Sequence, residues 1–167
     1  MRIESNCLDV LIRNRNWVKM RKWLNILVLV SRFGLAAMWL FAAGAKLYTL
    51  NDFVANMTNL VPERWALPLT LAVIAAELLA AVLLVIPRTA RAGALLTAAM
   101  LIGFALYGLY YVYILKGEPL ECGCFGGIIG SQLGLKTALR NLALLLPAAL
   151  VIFASPPRGH KVKPEYK

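Results

Sequence analysis

A chain of 167 residues that is 60% hydrophobic, with a mean hydropathy of +0.70, exceeds the roughly 45–50% apolar content of a soluble domain and excludes one. It is also too short to carry a separate soluble domain beside its apolar spans. The net charge of +10 would point to nucleic acid in a soluble protein, but here the basic residues stand beside apolar segments, as topology-setting and lipid-facing charge does, so nucleic acid is not an expected partner.

Residues 1–23 form a basic arm, with Arg2, Arg13, Arg15, Lys19, Arg21 and Lys22 against Glu4 and Asp9. Met20-Arg21-Lys22-Trp23 has the form of a start in its own right. The apolar run that follows is longer than a signal-peptide core and contains Arg32, so a cleaved signal peptide is not expected. The first helix is predicted over Leu24 to Lys46, with Trp23 as interfacial anchor. Its Gly34, Ala36, Ala37, Ala42, Ala43 and Gly44 would admit a close neighbour. A polar loop is predicted from Leu47 to Trp65. The second helix is predicted over Ala66 to Ile86, with Ala72, Ala76 and Ala80 as a packing strip, ended by Pro87. The third spans Ala92 to Leu115 and ends in Tyr107, Tyr110, Tyr111 and Tyr113, an aromatic belt before it is a quinone-contacting wall. The fourth spans Thr137 to Ala154, stopped by Pro156-Pro157, with a basic tail over 156–167.

Four apolar segments of about 18–23 residues each match a hydrocarbon core of about 30 Å. The expected fold is therefore all-α: an integral membrane four-helix bundle over residues 24–155. The arm, the Arg88/Arg91 turn and the tail together carry twelve Lys/Arg, whereas the two opposite loops carry three, Arg64, Lys116 and Lys136. The positive-inside rule then places both termini in the cytoplasm and the loop between helices three and four outside, which in a bacterial inner membrane is the periplasm.

Charges at membrane depth need a reason. Arg32 and Glu77 lie at similar depth, counted from the cytoplasmic ends of antiparallel neighbours, and are expected to form an intramembrane ion pair. Lys46 and Arg140 lie at the outer helix ends. Each is expected either to snorkel to lipid phosphates or to stabilise a thiolate.

The outer loop holds Glu121-Cys122-Gly123-Cys124-Phe125-Gly126-Gly127, the one place where two thiols come close. A disulfide across so small a ring forces unusual backbone angles, which Gly123 tolerates best. Such a strained bond is easily reduced, as suits a relay pair, and an oxidising compartment agrees with it. Two other readings stay open: a soft-metal site for Cu(I) with two thiolate ligands, and a structural disulfide in an assembly partner. A zinc site wants four ligands, and His160 and Cys7 fall on the predicted opposite side, so no metal site is assigned. Glu121 disfavours a thiolate at Cys122, which makes Cys124 the better attacking thiol.

Arg32, Ala43-Gly44-Ala45-Lys46-Leu47, Phe53, Pro62, Glu77-Leu78, Cys122-Gly123-Cys124-Phe125-Gly126 and Arg140-Asn141 together resemble the MauE/DoxX-like redox-associated membrane proteins over roughly Leu24 to Phe153. The resemblance implies a four-helix membrane protein that works with a periplasmic thioredoxin-like partner. In the methylamine system that work supports maturation of a disulfide-rich dehydrogenase subunit. Catalytic roles for Cys122 and Cys124 are expected, with Gly123, Phe125, Gly126, Lys46 and Arg140 in support. No cofactor is assigned, and a quinone is a candidate electron carrier that the tyrosines alone do not establish.

Overall fold

The computed structural model describes residues 4–58, 61–113 and 135–154. The described residues form five helices: α1 (Glu4–Tyr48), α2 (Leu50–Thr58), α3 (Glu63–Val85), α4 (Ala90–Tyr113) and α5 (Leu135–Ala154). Three of them contain spans long and apolar enough to cross a membrane, Met20–Tyr48, Glu63–Val85 and Ala90–Tyr110, and Ala138–Ala154 is a shorter apolar stretch. The protein is a multi-pass membrane protein with an all-α bundle. α1, α3, α4 and α5 close a ring in which each helix packs on two neighbours, and α2 rests mainly on α3.

Two boundaries differ from the sequence expectation. α1 begins at Glu4 and runs unbroken through the basic arm. No Gly or Pro occurs in residues 4–23, so the charges there mark where the apolar span begins without ending the helix. The predicted loop from Leu47 to Trp65 contains α2, whose Phe53 is buried against the bundle. Pro62 precedes the first residue of α3, where a missing N–H costs nothing.

The buried stripe of α3 is Ala66, Thr70, Ile74, Glu77, Ala80, Ala81 and Leu84. The expected strip through Ala72, Ala76 and Ala80 is therefore corrected: Ala72 is exposed and only Ala80 is fully inside. Alanine is tolerated against lipid as well as against a helix, so its recurrence does not single out the packing face. The core unites Leu35, Ala36, Trp39 and Ala42 with Ala80, Leu84, Ala94, Leu101, Ala148 and Val151. These small side chains let backbones approach closely, which matters where lipid is as apolar as the core. The α3–α4 connection is the tightest such place. A Cβ on Gly93 would stand 2.8 Å from Leu84 N and 2.9 Å from Leu83 C. Thr89 closes the turn by donating its hydroxyl to Leu83 O at 2.9 Å.

Candidate functional site

A fully buried pair of charged side chains lies near the end where α1 stops. Lys46, in the last turn of α1, donates from Nζ to Glu77 Oε1 at 2.6 Å, and both side chains are 0% exposed. Two rings flank the ammonium group. The Phe53 centroid is 5.5 Å from Nζ and the Phe104 centroid is 6.0 Å from it. Residues of α1, α2, α3 and α4 thus converge on one cation. A carboxylate and two electron-rich ring faces offset the loss of water around Lys46. Glu77 Oε2 is buried and accepts no hydrogen bond among the described residues, and the same holds for the hydroxyl of Thr70, two turns earlier on α3.

The expected Arg32–Glu77 pair is not formed. Arg32 donates from Nε and Nη2 to Leu84 O, at 3.1 and 3.0 Å, and from Nη2 to Val85 O at 3.1 Å. It caps the last carbonyls of α3, where the helix dipole favours a cation. The reason lies in side-chain direction. Side chains on a helix lean toward its N-terminus. α1 and α3 are antiparallel, so Arg32 leans away from Glu77 toward the α3–α4 turn, while Lys46 and Glu77 lean toward each other. Leu84 is seven residues from Glu77, about 10 Å along the axis. Lys46 is accordingly no snorkelling cation, because its ammonium group points into the bundle.

Behind this pair the interior stays polar at a few points. Trp39 donates from Nε1 to the Thr97 hydroxyl oxygen at 3.0 Å, and the bond is buried. A cavity of about 20 Å³ is lined by Met38, Trp39, Ala42, Leu101, Phe104, Asn141 and Leu144. Asn141 is 3% exposed, and its Nδ2 has no acceptor among the described residues. Arg140 precedes it and is half-buried near the start of α5. Lys46, Glu77, Arg140 and Asn141 therefore belong to the part of the bundle reached by the end of α1 and the start of α5. Of these, the sequence reading paired Glu77 with the wrong cation and gave Phe104 no role. The only available signal was that Glu77 is the one acid within the helices expected from sequence, with cations at two heights to choose from.

The expected thiol-site residues Cys122, Gly123, Cys124, Phe125 and Gly126 lie outside the described residues. What the structure places are the two helix ends that carry them, Tyr113 of α4 and Leu135 of α5. α4 runs parallel to α1, since Trp39 meets Thr97 and Lys46 meets Phe104. Its C-terminus thus lies at the Lys46 end of the bundle.

A family model described as "Methylamine utilisation protein MauE" matches residues 24–154. Comparison with curated proteins gives no match, nor does comparison with solved structures.

Proposed function

Because the chain belongs to the methylamine utilisation protein MauE family, we propose that it is a membrane thiol–disulfide relay or maturation factor whose working unit is the Cys122–Cys124 pair. The observation that carries this reading is the Cys-Gly-Cys-Phe-Gly element, inserted between two helices whose ends lie at the bundle end that buries Lys46 and Glu77. In this reading the apolar helices supply the fold and the two thiols supply the chemistry.

The exchange balances as follows. A thiolate of the pair attacks one sulfur of a partner disulfide. The new S–S bond forms as the partner's bond breaks, with its electron pair left on the second partner sulfur, which takes a proton. The other cysteine loses its proton and attacks the mixed disulfide. Two electrons and two protons have then passed to the partner, and Cys122 and Cys124 are joined. The reverse sequence reduces the pair. A thioredoxin-like protein outside the inner membrane is the partner class this chemistry fits, and maturation of a methylamine dehydrogenase-type subunit is the matching pathway.

The test measures partner maturation and membrane abundance together in Cys122→Ser and Cys124→Ser. Loss of maturation at normal abundance, with a mixed disulfide trapped on the remaining thiol, is the expected result. Wild-type maturation in either variant at normal abundance overturns the relay. Loss of the protein itself indicates a structural disulfide, and wild-type function that is lost on chelation indicates a soft-metal site.

A further inference from the structure

The opposite end of the bundle carries an arrangement that thiol chemistry does not use. The turn 86–89 joins two apolar spans, so it stands at a membrane boundary. Three arginines gather there. Arg32 is held against the turn by its bonds to Leu84 O and Val85 O. Arg88 and Arg91 are exposed, and among the described residues neither has a hydrogen bond or ion-pair partner. Among the described residues no acid answers them. Glu77 is about 10 Å away along α3 and is committed to Lys46. Asp52 and Glu63 belong to the other end, next to the α2–α3 connection. Glu4 and Asp9 precede Arg32 on α1 by 23 residues or more, about 35 Å of helix. Beside the arginines, Val85 and Ile86 are exposed at 44% and 43%, and Leu95 at 52%.

We propose that this turn is a headgroup site for an anionic phospholipid, with Arg88 and Arg91 on the phosphate and the neighbouring apolar side chains against the acyl chains. A guanidinium presents a planar fork of donors that fits phosphate oxygens. Fixing Arg32 on the carbonyls of α3 keeps a third positive charge beside the site without using it as a ligand. Each basic side chain near an anionic membrane surface strengthens attachment by about fivefold.

The experiment is native mass spectrometry of the full chain in detergent, titrated with phosphatidylglycerol or phosphatidylcholine of identical acyl chains. The wild type retains phosphatidylglycerol preferentially. R88Q lowers that preference about fivefold and R88Q/R91Q about 25-fold. R21Q/K22Q, about 15 Å from Arg32 along α1, lowers it less than about fivefold. Equal retention of the two lipids by the wild type overturns the proposal. So does an unchanged preference in R88Q/R91Q, or a loss in R21Q/K22Q as large as in R88Q/R91Q. Displacement of the lipid by a tenfold excess of inorganic phosphate identifies a free-anion site and overturns the lipid assignment. Circular dichroism of each variant shows whether the bundle persists, and R88Q alone serves if the double variant does not fold.

Discussion

Removing one partner of the Lys46–Glu77 pair strands a charge in a place that excludes both water and lipid headgroups. Both side chains are 0% exposed and their atoms are 2.6 Å apart. At an effective dielectric constant of about 20, the attraction over that distance is about 6 kcal/mol, set against several kcal/mol of desolvation for each ion. Glu77→Leu or Lys46→Met should therefore destabilise the bundle by about 3–5 kcal/mol. Together the two substitutions leave an apolar contact between Phe53 and Phe104, and should cost no more than about 1–2 kcal/mol. The assay is reversible unfolding in mixed micelles, followed by helicity, for the wild type, both single variants and the double. Non-additivity of at least about 2 kcal/mol is expected. The same cycle run on Arg32→Gln and Glu77→Gln should be additive within about 0.5 kcal/mol, because among the described residues Arg32 bonds to Leu84 O and Val85 O and not to Glu77. Additive costs for Lys46 and Glu77, or strong coupling between Arg32 and Glu77, would refute the assigned pairing.

Other contacts give sharper local tests. Gly93→Ala places a methyl group within 3 Å of the α3 backbone and should push α3 and α4 apart, costing about 1–3 kcal/mol in the same unfolding assay, whereas Gly103→Ala, with nothing within 4 Å, should be near neutral. Trp39→Phe leaves the buried Thr97 hydroxyl without its donor and should cost about 1–3 kcal/mol, partly restored by pairing it with Thr97→Val. Phe53→Leu removes one ring from Lys46 and should cost about 0.5–2 kcal/mol, a loss that disappears when Lys46 is already Met. A membrane-impermeant thiol reagent applied to intact cells should label reduced Cys122 or Cys124 and leave Cys7 untouched, and labelling that requires permeabilisation would reverse the proposed orientation.

Local composition by itself determined that this chain lives in a membrane and where its spans lie. Apolar runs of spanning length leave no other solvent, and Pro62 and Pro87 mark the ends of α3 to within a few residues. The Cys-Gly-Cys-Phe-Gly element and its family were legible for the same reason, since their signal is carried by adjacent residues. Continuation of α1 back to Glu4 was not read, because charge reports the solvent around a helix rather than its hydrogen bonding. Nor was the buried face of α3, because alanine suits lipid and helix alike. The partner of Glu77 was beyond sequence altogether. Depth counted along each helix put Arg32 and Glu77 level, but a bond depends on where the side-chain tips meet. That is decided by the antiparallel packing of α1 on α3, which turns Lys46 and Glu77 toward each other, turns Arg32 toward the last carbonyls of α3, and brings in Phe53 and Phe104 from two further helices.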